Sequence, residues 1–127
     1  MLQFEQEASL TTLNTLGLSS KARFLVTVDS EQSLLEALNS AQAQQYPVFI
    51  LSGGSNVLLA ESIGALVIRP LLKGIQLIKQ DDAQVWVEVM AGEEWHPFVQ
   101  FSLEQGWYGL ENLSLIPGYV GASPIQN

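Results

Sequence analysis

The hydrophobic pattern of the first half of the chain predicts a strand, a helix and a second strand. Residues 1–22 have no clear periodicity and are expected to be irregular. Residues 23–28 (RFLVTV) are rich in β-branched side chains, which favour strands. Across residues 31–44, after the capping candidate Ser30, leucines recur at helical spacing. Residues 48–51 (VFIL) are continuously apolar, which is typical of a strand covered on both faces. This order is a βαβ unit, so we expect the two strands to be parallel.

The second half of the chain shows strand alternation first and helical spacing afterwards. Residues 65–70 read as a strand closed by proline, and residues 75–80 and 85–92 flank a turn and predict a β-hairpin. From Glu94 onward apolar residues recur at helical spacing until Gly106, which ends the helix.

The stretch from Ile63–Leu66 to Arg69-Pro70 is a candidate seam between two subdomains. The seam divides the chain into a first subdomain, residues 1–69, which holds the βαβ unit and the strand after it. Residues 70–127 then form the start of a second subdomain, with the hairpin and the later helix.

Composition narrows the classes of partner. Only 14% of the 127 residues are charged, against about 25% in a typical soluble domain. We therefore expect some apolar surface to face another domain or chain. The net charge of −8 argues against nucleic acid or an anionic membrane as the main partner.

The chain has no cysteine, which excludes disulfides and thiolate metal sites, and its acidic start does not resemble a signal peptide. No apolar run is as long as a membrane-spanning helix.

A glycine-rich stretch, LSGGSNVLL at residues 51–59, follows the second predicted strand. Carboxyl ends of such strands are where open α/β sheets tend to bind ligands. Glycines let backbone N–H groups converge on an anion, but they also make ordinary left-handed turns. The loop has no lysine or arginine and matches neither of the common phosphate-binding motifs. Taken alone it fits a plain turn or a phosphate loop held by neutral N–H dipoles.

A second loop rich in small residues, IPGYVGASPIQN, spans residues 116–127. It fits the close approach of a flat ligand as well as a surface turn. His96, the only histidine, lies at the predicted start of a helix and favours a structural role. No serine–histidine–acid set and no cluster of metal-ligating residues is apparent in the sequence.

The two loops together, LSGGSNVLL and about sixty residues later GLENLSLIPGYVGASPIQN, resemble one family. This family is UDP-N-acetylenolpyruvoylglucosamine reductase, a group of flavoenzymes of bacterial cell-wall synthesis. The stretches NTLGL at 14–18 and AGEEWHPFV at 91–99 are also similar to the family. The resemblance runs from about residue 14 to the end.

The resemblance implies an α+β fold of the vanillyl-alcohol-oxidase (PCMH) type, in which FAD lies between two small α+β subdomains. It also implies noncovalent FAD, because Ser55 stands where some members of the wider superfamily tether the flavin through a histidine. The residues implied to hold the pyrophosphate are Gly53, Gly54, Ser55, Asn56 and Val57, and those implied to line the flavin are Pro117, Gly118, Gly121, Ala122, Ser123 and Ile125.

The family's reaction reduces UDP-N-acetylglucosamine enolpyruvate to UDP-N-acetylmuramate, with NADPH as the hydride donor and FAD as the carrier. The resemblance implies the same oxidoreductase activity for the full-length protein, in the cytoplasm, in peptidoglycan synthesis, cell-wall biogenesis, cell shape and cell division. The family's catalytic residues lie outside the matched part, so none is assigned here. We expect this chain to be the N-terminal FAD-binding part only, truncated in its second flavin loop. We expect it to be inactive alone and to self-associate through an exposed apolar face.

Two alternatives remain open from the residues themselves. One is the FAD-binding domain of another oxidoreductase of the same fold, with a different substrate. The other is a module that binds a nucleotide without catalysis. Both keep the glycine-rich loops as a binding feature, and they differ in what the intact protein does with the bound molecule.

Overall fold

The computed structural model describes residues 1–126, and for Gln126 only the backbone. Asn127, the last residue of the second loop as read from the sequence, lies outside the described residues. The chain divides into two compact units, Met1–Leu71 (unit 1) and Leu72–Asn127 (unit 2). Each unit contains both helices and strands.

Unit 1 is built on a mixed four-stranded sheet. Its strands are β1 (Glu5–Ser9), β2 (Lys21–Val28), β3 (Val48–Ile50) and β4 (Ser62–Pro70). Their order across the sheet is β1–β2–β4–β3, with β2 and β3 parallel to β4 and β1 antiparallel to β2. The predicted βαβ unit is present, and its two parallel strands are separated by β4.

Two predictions for this sheet are wrong. Residues 1–22, expected to be irregular, contain β1 and a 3-10 turn, Thr11–Leu13. Most of β1 is polar and exposed, so it carries no apolar period and is held by pairing with β2. β3, expected to be covered on both faces, is an edge strand in which Val48 and Ile50 are 39% and 52% exposed. An apolar run does not by itself distinguish a central strand from such an edge strand.

The single helix predicted over residues 31–44 is two helices, α1 (Glu31–Leu38) and α2 (Ala41–Gln45). Ser30 caps α1, and the side chain of Ser40 accepts a hydrogen bond from an N–H of the first turn of α2 at 3.2 Å. A serine that caps a new helix interrupts the previous one, because its side chain competes for backbone N–H groups.

The main core cluster of unit 1 lies between the sheet and the chain that follows β3. Leu25 of β2 and Val67 of β4 are paired across the sheet and are buried. Leu51 and Leu59, from the two ends of the connection between β3 and β4, pack with them. Burial of such a side chain contributes about 1.5–3 kcal/mol. The connection is therefore fixed at both ends by apolar contact.

Unit 2 consists of a hairpin, one longer helix and short helical turns. Its elements in chain order are β5 (Ile75–Gln80), β6 (Val85–Val89), α3 (Trp95–Glu104), two 3-10 turns (Glu111–Leu113 and Val120–Ala122) and α4 (Ser123–Gln126). β5 and β6 pair antiparallel, as predicted, and the carboxylate of Asp81 closes their turn by accepting hydrogen bonds from two backbone N–H groups at 2.8 and 2.7 Å. The helix predicted after Glu94 is α3, whose Phe98 and Val99 are buried.

Candidate functional site

The chain leaves the sheet of unit 1 at the carboxyl end of β3. Leu51 is fully buried and still belongs to the ladder, because its N–H donates to the carbonyl oxygen of Ile68 at 3.0 Å. Residues 52–58, which we call the first loop, then follow without helix or strand. The glycine-rich stretch thus lies at the end of a parallel strand, where α/β sheets tend to bind ligands.

A neighbouring segment, residues 10–18, supports the first loop, and we call it the support segment. Asn14, which is buried, organises this segment. Its Nδ2 donates to the carbonyl oxygens of Leu10 and Leu18 at 3.0 and 3.1 Å, and its Oδ1 accepts from the N–H of Leu18 at 2.9 Å. Each such bond contributes about 1 kcal/mol and leaves a buried group unpaired if removed. The amide therefore holds the support segment in one shape.

Gly54 brings the first loop directly against the support segment. The N–H of Thr15 donates to the Gly54 carbonyl oxygen at 3.0 Å. The φ of Gly54 is +68°, which favours glycine. A Cβ on Gly54 would collide with the carbonyl oxygen of Leu13 and would lie 2.8 Å from the Cα of Asn14. This glycine is thus required by a backbone contact inside unit 1, apart from any room it makes for a ligand.

The first loop also presents backbone donors. Of the hydrogen bonds between described residues, none has Gly53, Gly54, Asn56 or Val57 as its N–H donor. Ser55 does have a partner within the chain. Backbone N–H groups of a non-helical turn can bind an anion when they converge on it. Four N–H groups of the first loop are left without an acceptor among the described residues.

The second loop, residues 116–126, lies against the segment that precedes α3. The N–H of Trp95 donates to the carbonyl oxygen of Gly118 at 2.9 Å, and the N–H of Val120 donates to that of Glu93 at 2.8 Å. The N–H of Gly121 donates to the carbonyl oxygen of Ala91 at 3.1 Å. The AGEEW stretch and the second loop, both singled out in the sequence, are thus brought together within unit 2.

Gly121 makes the closest of these approaches. A Cβ at this position would lie 2.7 Å from the Cβ of Ala91 and 3.0 Å from its Cα. Among the other predicted flavin-side residues, Gly118 has a φ of +111°, Ala122 and Ser123 are half-buried, and Pro117 and Ile125 are exposed.

Two side chains at the start of α3 hold the turn before the second loop. Nε1–H of Trp95 donates to the carbonyl oxygen of Leu113 at 2.8 Å, and Nδ1 of His96 accepts from the N–H of Leu115 at 3.0 Å. Leu115 has a φ of +62°, which costs a residue with a side chain about 1–2 kcal/mol. The bond to His96 helps to offset that strain, so the only histidine has a structural contact.

Glu111 closes the same turn from its other end. Its Oε2 accepts a hydrogen bond from the N–H of Gly109 at 2.6 Å, and this bond lowers the pKa of the Glu111 carboxyl. The stabilisation is present above the ordinary carboxyl pKa and is lost as the pH falls through the lowered one. The turn is therefore fully held at neutral pH.

NTLGL at residues 14–18 carries a turn signal, an asparagine followed by a glycine three residues later. The contact of this segment with the first loop was not predicted from the sequence. Within residues 1–126 no group of acidic and histidine side chains could hold a metal ion. No helix in that range is long and apolar enough to cross a membrane.

Three separate comparisons with known proteins agree on the family that this chain resembles. Residues 22–127 match the family described as FAD binding domain. The chain is 52% identical over 123 residues to the UDP-N-acetylenolpyruvoylglucosamine reductase of Psychrobacter arcticus, which covers 94% of this chain and 33% of that protein. It is 46% identical over 126 residues to the reductase of Pseudomonas putida, covering 99% of this chain and 37% of the relative.

A solved structure is also similar. The crystal structure of UDP-N-acetylenolpyruvylglucosamine reductase from Thermus caldophilus matches with a TM-score of 0.72 at 28% identity, over 96% of this chain and 41% of that one. The predicted α+β fold of the PCMH FAD-binding type is confirmed by these matches, as is the resemblance carried by the two loops. The chain spans about a third of the length of the curated relatives it matches.

The contact of Gly54 with the support segment predicts a large cost for Gly54→Ala. Gly17 is the matched control, because its φ of +63° is nearly the same but a Cβ there would meet nothing within 4 Å. Gly17→Ala should destabilise the chain by about 1–2 kcal/mol, from backbone strain alone. Gly54→Ala should lower the free energy of unfolding by clearly more than Gly17→Ala, because the backbone of Leu13 must also move. Urea unfolding of the two variants measures the difference, and equal losses would contradict the proposed contact.

The approach of Gly121 to Ala91 predicts a coupled pair. Gly121→Ala should destabilise unit 2, because the new methyl group overlaps the Cβ of Ala91. Ala91→Gly removes that Cβ, so the double variant should recover part of the loss. A double-mutant cycle of thermal unfolding should give a favourable coupling of about 0.5 kcal/mol or more. Strictly additive effects of the two substitutions would show that the second loop does not lie on Ala91.

Proposed function

Since the chain belongs to the FAD-binding domain family, we propose that it is the FAD-binding part of a bacterial flavoenzyme. The proposed enzyme reduces UDP-N-acetylglucosamine enolpyruvate to UDP-N-acetylmuramate with NADPH. The curated relatives that it matches are named for this reduction, at 46% to 52% identity. In this proposal the enzyme is cytoplasmic and serves peptidoglycan synthesis, and through it cell-wall biogenesis, cell shape and cell division.

The observation that carries the proposal is the set of N–H donors in the first loop. Four of its N–H groups have no acceptor within the described part of the chain, and the loop follows a parallel strand. Gly54 is buried and Gly53 and Val57 are half-buried. N–H groups in such places are nearly always paired in proteins, so unpaired ones favour a ligand with several acceptor oxygens. A diphosphate has that chemistry.

The residues of each loop have separate tasks in this proposal. The first loop holds the pyrophosphate through its main chain, at Gly53, Gly54, Ser55, Asn56 and Val57. Ser55 cannot form the histidine-type tether to a flavin, so FAD is held noncovalently. The second loop lines the flavin with Pro117, Gly118, Gly121, Ala122, Ser123 and Ile125, which the contacts with the segment before α3 hold in a defined shape.

When bound, FAD supplies the redox chemistry, carrying a hydride from NADPH to the enolpyruvyl double bond. The chain's own part is to bind and orient that group. We assign no catalytic residue within it. Residues 1–69 serve as the first FAD-binding subdomain and residues 70–127 as the beginning of the second. The UDP-sugar and NADPH are partners of the longer protein.

Activity is expected only when the chain is joined to the rest of a reductase. The matched relatives are about three times longer than the matched segment, which spans 33% to 37% of their length. We expect the chain alone to bind FAD weakly and to be inactive. A chimera in which the chain replaces the matched segment of the Pseudomonas putida relative should bind FAD and consume NADPH in the presence of the enolpyruvyl substrate.

The assay compares the chain, the chimera and the unmodified relative under the same conditions. Turnover by the chain alone near an ordinary enzyme rate, about 10 per second, would contradict the assignment of catalysis to the rest of the protein. A folded chimera that binds no FAD would contradict the proposed function. A chimera that binds FAD but leaves the enolpyruvyl substrate unchanged would favour another oxidoreductase of the same fold.

An apolar groove in unit 2 is the surface through which we propose that the chain alone self-associates. The groove has a volume of about 500 Å³, and the inner face of β6 lines it together with aromatic residues of α3. The alternation predicted for β6 accounts for the apolar lining of this groove. Val85, Val87 and Val89 face it and are less exposed than the residues between them. A low share of charged residues, 14%, adds to the tendency to associate.

Val87→Glu should therefore reduce self-association, because a charge in the groove cannot be buried without a partner. Gln44→Glu, an exposed position on α2, adds the same charge elsewhere and is the control. Sedimentation velocity at increasing concentration measures the effect. If the chain stays monomeric throughout, or if both variants associate equally, the groove is not the contact surface.

A further inference from the structure

The chain has few positive side chains, and nearly all of them are exposed. Its sequence contains five lysines and arginines against thirteen acidic residues. Lys21 is exposed, Arg23 pairs with Glu7 at 2.7 Å, Lys73 lies 3.6 Å from Glu93, and Lys79 stacks 4.7 Å from the ring centre of Trp86.

Arg69 is the exception. It is half-buried at the end of β4, and its Nε is shielded from solvent yet has no hydrogen-bond partner within the part of the chain that the structure describes. The guanidinium group is always charged and has five donors in a rigid fork that suits phosphate oxygens. A buried donor left unpaired is costly, so it points to an acceptor that binds from outside the chain.

The sheet register places Arg69 next to the first loop. β3 and β4 pair with Phe49 opposite Val67 and Ile50 opposite Ile68. Continuing this register by one residue on each strand places Leu51, the residue before the first loop, opposite Arg69. Pro70 follows and has no N–H to donate, so the ladder to the chain after β3 ends there.

Arg69 also lies on the face of the sheet against which the first loop packs. Side chains alternate along a strand, so Arg69 shares the face of Val67. Val67 belongs to the cluster on which Val57 of the first loop and Leu59 pack. Arg69 therefore lies at the carboxyl end of the sheet, on the same face as the first loop.

We propose that Arg69 is the cationic contact of this loop and donates to a diphosphate bound by its N–H groups. The inference rests on the proposed function and adds a charge to a site otherwise made of neutral donors. FAD, NADPH and the UDP-sugar all carry a diphosphate, and we assign Arg69 to that of FAD, because the first loop is its proposed site. The loop itself contains no lysine or arginine, so this contact is not visible in the loop sequence.

The test uses Arg69→Met and Arg69→Lys in the chimera, with Arg23→Met as the matched control. Arg23 is exposed on β2 and bound to Glu7, so its loss changes the net charge equally. FAD, UDP and NADP are titrated separately into each protein at several salt concentrations. Thermal unfolding of the unliganded proteins shows whether the variants are folded.

Arg69→Met should weaken FAD binding about tenfold or more, the size expected for a lost hydrogen bond to a charged group. Its FAD affinity should also depend less on salt than that of the parent, because the screened charge is gone. Arg69→Lys should recover part of the affinity, and Arg23→Met should bind FAD like the parent. If Arg69→Met does not fold, the same comparison is made with Arg69→Lys, which should bind FAD measurably more weakly than Arg23→Met.

Equal FAD affinities of the Arg69 variants and Arg23→Met would overturn the inference and leave the proposed function standing. A loss of UDP or NADP binding with unchanged FAD binding would overturn the assignment to FAD and move Arg69 to the substrate or the hydride donor. A folded parent chimera that binds no FAD would contradict the proposed function, and the inference would fall with it.

Discussion

The backbone of Gly54 lies directly against the backbone of Leu13 and Asn14, and the shape of the first loop depends on that contact. No side chain fits between the two segments. The loop can reach the support segment only because Gly54 has a positive φ and no Cβ. Once there, the Thr15 N–H fixes the Gly54 carbonyl oxygen. With that carbonyl fixed, the loop has one defined path past the support segment.

The second loop is shaped by the same kind of constraint. Gly121 lies on Ala91, and three main-chain hydrogen bonds join the loop to residues 91–95, which lead into α3. In both loops the glycine that a motif search would assign to ligand contact is also needed for packing within its own unit. Loss of ligand binding in a glycine variant is therefore not by itself evidence that the glycine touches the ligand, and a control glycine such as Gly17 is required.

Electrostatics sets a second limit on the proposed site. The chain is strongly acidic, so a dianionic diphosphate is repelled at long range and has to be held by short-range donors. Neutral N–H groups supply most of these donors in the proposal, and Arg69 supplies the one charge. The shielded Nε of Arg69, which has no partner among the described residues, has a cost in stability that a bound anion would relieve in this proposal.

The sequence by itself determined most of the elements and the position of both loops. β-Branched composition predicted β2, strand alternation predicted the hairpin and helical spacing predicted α3. Alternation and helical spacing follow from which side chains face a core. The paired loops at their spacing indicated the FAD-binding family. Tertiary structure alone decided the rest. β1 has no apolar period and forms because β2 offers an edge. The bond from Thr15 to Gly54 and the proposed role of Arg69 also depend on segments that only the fold brings together. Local propensity carries no information about such contacts, because the partners are distant in the chain and meet only when the strands pair.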